Sequence, residues 1–303
     1  MILSVSRRTD IPHYYSEWFF NRLDEGFVLV PNPMNPKQIS QITLNPEEIE
    51  FIVFWTKNPE PMFPNLEKLG LFAYYFQFTL TGYKTDVEPV LGSMKNQLIK
   101  TFTKFASQIG PERMVWRYDP ILLNDFYNVD YHLRAFRKIA ERLSGSTDQC
   151  IVSFYDDYQA SSRRMKALNL VMPSLNEKKE FLAKLSQIAG SYDIRLTTCA
   201  ENGELDISAA ACIDPDRIRR IISQPISGQK DRNQREFCNC IESIDIGIYH
   251  TCPSGCLYCY ANHRKVSGIH DPNSPLLWGY LPLDAKISKR ASKRIISPQG
   301  ALF

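Results

Sequence analysis

Short runs of apolar, β-branched and aromatic residues recur along the chain, separated by longer stretches whose apolar positions repeat every three to four residues. The runs Ile2–Ser6, Phe51–Trp55, Phe72–Thr79, Met114–Arg117, Cys150–Phe154, Ile194–Thr198 and Ile244–Tyr249 predict strands. Several are apolar at consecutive positions, as expected when both faces of a parallel sheet are covered. Between them, Tyr14–Glu25 carries Trp18, Phe19 and Leu23 and stops at Gly26. Ser93–Ile109 aligns Leu98, Phe102, Phe105 and Ile109 ahead of Gly110, and Tyr131–Leu143 repeats the pattern with Phe136, Ile139 and Leu143. A further helix opens at a capping box, Ser174 to Glu177, and ends near Gly190.

Alternating strands and helices predict an α/β fold with a parallel sheet. Seven strands over this length fit a partial or near-closed (β/α) barrel better than a small doubly wound sheet. No internal repeat or low-complexity linker divides the chain. Residues 263–283 are rich in Pro, Gly and Asn, and 284–303 are basic with little periodicity, which predicts a weakly ordered tail. The expected organisation is a barrel over residues 1–262 and a short C-terminal extension over 263–303.

With 303 residues, 44% of them apolar, the chain can bury one large core or two small ones. A net charge of +3 is too small to imply nucleic acid, which weakens the reading as a zinc-stabilised nucleic-acid-binding protein. No stretch approaches the roughly 18 apolar residues of a membrane span. The start, Met1 to Arg8, sets its charges after a short apolar run, the reverse of a secretory signal, so the expected compartment is the cytoplasm. There, eight cysteines, seven of them between Cys199 and Cys259, suggest metal or redox chemistry more than disulfides.

The densest chemistry lies in His250-Thr-Cys252-Pro-Ser-Gly-Cys256-Leu-Tyr258-Cys259-Tyr260-Ala-Asn262, spaced C-x3-C-x2-C. Three soft thiolates on one loop suit three corners of an iron–sulfur cubane and leave the fourth iron open. An open position is what a catalytic metal centre needs. The alternative is zinc, completed by His250, His263 or another cysteine, although zinc loops usually pair two ligands with two. An electron-transfer protein is a further alternative, but such a carrier normally ligates every iron.

Cys252, Cys256, Tyr258 and Cys259 resemble the radical S-adenosylmethionine superfamily, whose hallmark is this spacing with an aromatic before the third cysteine. The resemblance implies a [4Fe-4S] cluster and S-adenosylmethionine, whose methionyl amine and carboxylate chelate the open iron. One electron then breaks its carbon–sulfur bond to give a 5′-deoxyadenosyl radical that abstracts hydrogen from substrate. It also implies a flavodoxin- or ferredoxin-like donor, while the substrate, whether small molecule, peptide or nucleic acid, stays undefined.

In that superfamily the motif follows the first barrel strand, whereas here it follows the last. A circular permutation reconciles the two, with Ile244–Tyr249 as the first strand and Ile2–Ser6 as the second. The whole chain resembles an uncharacterised family of this kind, marked by Ser6-Arg-Arg-Thr-Asp-Ile-Pro12, Phe54-Trp-Thr-Lys-Asn-Pro59 and Trp116-Arg-Tyr-Asp-Pro-Ile121. More loosely, its Thr-Lys and Arg-x-Asp-Pro strand ends are similar to those of spore photoproduct lyase, a superfamily member that repairs DNA.

A parallel barrel binds ligands at the C-terminal ends of its strands. Here the strands end in Arg7 to Asp10, Thr56 and Lys57, Thr79 and Thr81, Arg117 and Asp119, Ser153 and Asp156, and Cys199 and Glu201, which predicts one convergent polar mouth. For the implied cofactor, Asp10 or Glu201 suits the amine, Arg7, Lys57 or Arg117 the carboxylate, and Thr79 or Ser153 the ribose, with Tyr258 beside the cluster. Lys57 and Arg117 lack an obvious partner in sequence and are the candidate catalytic residues.

Cys150 reads as a core residue. Cys199, Cys212, Cys238 and Cys240 predict either a second, fully ligated iron–sulfur cluster or a zinc ion, or else scattered reduced thiols. Lys230 to Arg235 reads as solvated surface.

Overall fold

The computed structural model describes residues 1–156, 159–201, 203–264 and 268–296. In chain order the elements are β1 (Ile2–Val5), α1 (Ile11–Tyr14), α2 (Ser16–Glu25), β2 (Phe27–Asn32), β3 (Asn35–Thr43), β4 (Phe51–Thr56), a 3-10 segment Glu60–Leu71, β5 (Tyr74–Thr79), α3 (Lys95–Ile109), β6 (Met114–Ile121), α4 (Val129–Leu143) and β7 (Gln149–Phe154). Then come α5 (Gln159–Met165), α6 (Leu175–Gly190), β8 (Arg195–Cys199), β9 (Ala209–Ala210), α7 (Pro215–Ile222), β10 (Ile244–Asp245) and β11 (Lys286–Lys289).

Eight strands form one parallel α/β sheet in the order β10-β1-β4-β5-β6-β7-β8-β9. Strands β9 and β10 are its two edges, and among the described residues no ladder joins them. The apolar runs lack alternation because both faces are covered. Leu3, Val5, Ile52, Phe54, Phe76, Phe78 and Trp116 pack with Trp18, Phe102, Phe136 and Leu185 of the helices. Their neighbours Ile2, Phe51, Val53, Tyr75, Val115 and Ile151 face the opposite way, onto Cys212, Ile213, Ile218, Cys240 and Ile241. One face thus meets the helix layer and the other a plug made from the chain after β8.

Local chemistry sets the helix ends. Ser174 and Glu177 make the expected capping box, and Asn128 accepts from the Tyr131 N–H to start α4. Gly26 ends α2 at φ +77, a conformation that suits glycine. The single expected helix at Tyr14–Glu25 is in fact two, broken at Tyr15, because Asp10 caps an earlier turn through the His13 N–H.

One expectation needs correction. Residues 284–303 are not wholly a loose tail, since β11 pairs with β3 from Lys286↔Gln38 to Lys289↔Gln41, while 297–303 lie outside the described residues. The hairpin of β2 and β3 was itself hidden by Pro31, Pro33 and Pro36, which punctuate the run.

The pairing of β10 with β1 positions the cysteine loop. It is parallel, with Leu3↔Ile244 and Ser4↔Asp245, as the permuted arrangement requires, but β10 is two residues long rather than Ile244–Tyr249. Side-chain bonds complete the join: Asp245 accepts from Ser4 Oγ at 2.8 Å, Ser6 Oγ at 2.7 Å and the Arg7 N–H at 2.8 Å. Beyond it the chain touches β1 closely, since a Cβ on Gly247 would meet Ser6 Oγ at 2.0 Å.

Candidate metal centre

Cys256 is buried and Cys252 and Cys259 are half-buried on the loop that follows β10. Burial pushes the Cys256 thiol up to about 12 and Cys252 up to about 11, and raises Cys259 as well. Lys57 opposes the shift at Cys256, and the Ala261 and Asn262 N–H groups oppose it at Cys259. Burial therefore favours the neutral thiols over bare thiolates here.

Arg164 of α5 grips the loop by its carbonyls. Its Nη1 donates to Asn262 O at 2.8 Å and Cys256 O at 3.3 Å, and its Nη2 to Cys259 O at 2.5 Å. The Tyr15 hydroxyl donates to Thr251 O, Tyr14 meets Ser254 Oγ at 3.0 Å, and the Leu257 N–H donates to Val87 O at 3.0 Å. These contacts come from three separate parts of the chain, so sequence proximity does not reveal them.

Beside the loop lies a buried charge hub centred on Glu88, whose side chain is 1% exposed. Its Oε1 accepts from Lys57 Nζ at 2.8 Å, Thr81 Oγ1 at 2.8 Å and the Tyr258 hydroxyl at 2.5 Å, and its Oε2 from Lys95 Nζ. Burial alone would raise the Glu88 carboxyl, but Lys57 and Lys95 reverse that and hold it well below the usual carboxylate range. Two ammonium groups share one carboxylate, so the hub carries a net positive charge next to Cys256. Lys57 also stands 5.4 Å from the Tyr258 ring centroid.

The polar strand ends do not form one mouth; they divide. Asp10, Lys57 and Tyr258 gather around the cysteine loop, with Asp10 accepting from the Lys57 N–H at 2.8 Å and the His13 N–H at 3.1 Å. Arg7, Arg117 and Ser153 gather around the other thiols instead. Arg7 and Arg117 each lie 5.4 Å from the Trp55 ring centroid, and Arg117 pairs with Asp119 and reaches Cys212 Sγ. Ser153 donates to Asp119, and Arg7 reaches Ser243 Oγ at 3.0 Å. Glu201 accepts from the Phe154 N–H at 2.8 Å and stands 3.8 Å from Lys178 Nζ, while Thr79 pairs with Arg117 across the sheet. Lys57 and Arg117 thus have partners that the sequence did not disclose.

Cys199 Sγ lies 3.1 Å from Cys212 Sγ, and Cys240 bridges Cys212 and Cys238. Cys150 is buried apart from them among apolar side chains. Among the described residues no three His, Cys, Asp or Glu groups stand as ligands of a single ion. That is true of both thiol groups as the side chains stand; the His250 and His263 rings lie 4.3 Å apart. It does not bear on a cubane, whose thiolates bind separate irons. The 230–235 segment is exposed as expected except at Gln234, which is half-buried, and Asp231, which is buried 3.9 Å from Arg7.

Sequence reading missed Arg164, Glu88, Lys95 and Trp55. Glu88 offered one weak signal, a lone acid between Val87 and Pro89. Among the described residues no helix is long and apolar enough to cross a membrane.

A family model described as a domain of unknown function, DUF1848, matches residues 2–261. No curated protein matches the chain. A solved structure described as a "putative alpha-L-fucosidase" from Bacteroides thetaiotaomicron is similar at 11% identity and a TM-score of 0.27, covering 71% of this chain and 82% of that one. That likeness is too weak to carry an argument.

Proposed function

The chain belongs to the DUF1848 family, and we propose that it is a radical S-adenosylmethionine enzyme acting on a substrate yet to be identified. Cys252, Cys256 and Cys259 would hold a [4Fe-4S] cluster, leaving one iron to the amine and carboxylate of the cofactor. When bound, the cluster supplies one electron to the sulfonium carbon–sulfur bond.

The observation that carries the reading is the donor set itself: three thiols on one short buried loop, beside a parallel-strand end, with cationic and N–H groups turned toward them. An anionic thiolate cluster needs such surroundings. In this reading β10 takes the place of the superfamily's first barrel strand and β1 that of the second.

The chain's own residues would then do three jobs. Arg164 fixes the loop carbonyls and so the spacing of the thiols. Tyr258 anchors the last turn of the motif to Glu88, which orients Lys57 and Lys95 and favours the charged form of both. Asp10 ties the end of β1 to the start of the Lys57 loop by accepting from the backbone. Of the candidate cofactor contacts, Lys57 for the carboxylate and Asp10 for the amine stand beside the loop, whereas Glu201 is held by the Phe154 N–H and Lys178, and Thr79 lies opposite Arg117. Arg7, Arg117 and Ser153 are engaged with the second thiol group, so their contribution to cofactor binding would be indirect.

Anaerobic reconstitution with iron and sulfide tests this. The wild type should bind a cluster whose paramagnetic resonance changes with S-adenosylmethionine, and should form 5′-deoxyadenosine with a flavodoxin-like or chemical reductant. A Cys252→Ala, Cys256→Ala or Cys259→Ala variant that still cleaves the cofactor at the wild-type rate would overturn the assignment. A cluster indifferent to S-adenosylmethionine would favour an electron carrier.

A further inference from the structure

The two edges of the open sheet bring four thiols together, and we propose that Cys199, Cys212, Cys238 and Cys240 bind one zinc ion that closes the seam between those edges. Cys199 is the last residue of β8, and Cys212 follows β9, the edge strand on that side. Cys238 and Cys240 precede β10, the edge strand on the other side. The segments already touch, since the Ile241 N–H donates to Ile213 O at 3.3 Å and the Cys212 N–H to Cys240 Sγ at 3.2 Å. The ligands therefore come two from each side of a gap that, among the described residues, no ladder between β9 and β10 spans.

The surroundings suit anionic sulfur. The N–H groups of Cys212 and Ile213 point at Cys240 Sγ from 3.2 and 3.3 Å, and Arg117 Nη1 donates to Cys212 Sγ. These are donors only, which serve a thiolate ligand better than a neutral thiol. All four cysteines are buried, as a closed structural site requires.

Spacing decides between one ion and a cluster. Four sulfurs on one tetrahedral zinc, with bonds of about 2.3 Å, stand about 3.8 Å apart. The cubane's thiolates sit on four different irons and must spread farther. Cys199 and Cys212 at 3.1 Å are slightly inside the zinc spacing, and small rotations of their side chains would open them to it. The contacts run in sequence from Cys199 to Cys212, Cys240 and Cys238; as the side chains stand no three of these sulfurs converge on one ion, so binding would turn them inward about the contacts already made.

The site is independent of the Cys252 loop, so the test removes that loop's ligands. The full-length Cys252→Ala, Cys256→Ala, Cys259→Ala triple variant should retain one zinc per chain and little iron by elemental analysis. X-ray absorption should give four sulfur neighbours at about 2.3 Å. Cobalt exchange should give thiolate charge-transfer bands with tetrahedral intensity, and adding Cys238→Ser and Cys240→Ser should remove the metal. If the triple variant does not fold, the anaerobically reconstituted wild type should carry one zinc beside its iron. Iron in place of zinc, no metal after loading under reducing conditions, nitrogen or oxygen in the first shell, or a Cys199–Cys212 disulfide would each overturn the proposal.

Discussion

Replacing Glu88 with Gln keeps its shape and leaves Lys57 and Lys95 without their shared counter-charge. Those lysine side chains are 13% and 21% exposed, and Glu88 is 1% exposed, so water screens the loss poorly. Removing one partner of a buried ion pair typically costs about 3–5 kcal/mol. With an unfolding entropy of about 2.1 cal/mol/K per residue over 303 residues, that corresponds to a Tm lowered by about 5–8 °C. Anaerobic melts at one scan rate, read by circular dichroism at pH 7, measure it.

The pH dependence adds a second readout. The folded Glu88 carboxyl lies below its unfolded value, so in acid the unfolded chain binds the extra proton. Its stabilisation is present in full above the ordinary carboxyl pKa of about 4.3 and fades as pH falls below that. The wild-type advantage over Glu88→Gln should therefore shrink on acidification. Adding Lys57→Met to Glu88→Gln should restore part of the loss, because one buried ammonium then remains instead of two. A Tm within about 1 °C of wild type, or an advantage unchanged by acid, would refute the reasoning.

Arg164→Met removes three hydrogen bonds to loop carbonyls, each worth about 1.5–3 kcal/mol when charged, so iron release to a chelator should accelerate at least tenfold; an unchanged rate would count against the clamp. Lys57→Met should lower 5′-deoxyadenosine formation at least tenfold, about 1.4 kcal/mol, with the fold retained, whereas Arg117→Met should act first on metal retention at Cys212. Burial lowers His132 to about 4, so it stays neutral in the fold and its contribution is present in full above about pH 6.5 and fades from there toward pH 4. A His132→Gln variant should lose that part of the slope in melts run across the same range.

The amino-acid sequence by itself determined the parallel α/β class, the positions of β1 and β4 to β8 to within a few residues and the start of β10, and the three-cysteine loop as the centre of interest. Those features are local: strand runs follow from burial on two faces, and chelate spacing follows from the covalent chain. The resemblance anticipated β10 beside β1, but tertiary structure alone decided that Asp245 holds the join and that the strand ends divide into two groups around two sets of thiols. It also decided the partners of Lys57 and Arg117, and it brought Arg164 to a loop about a hundred residues away. The hairpin at 27–43 and the pairing of β11 were equally hidden, since edge pairing depends on which backbone arrives alongside. Ion pairs and hydrogen bonds of this kind act over a few ångström, and only the folded chain sets which distant residues come that close.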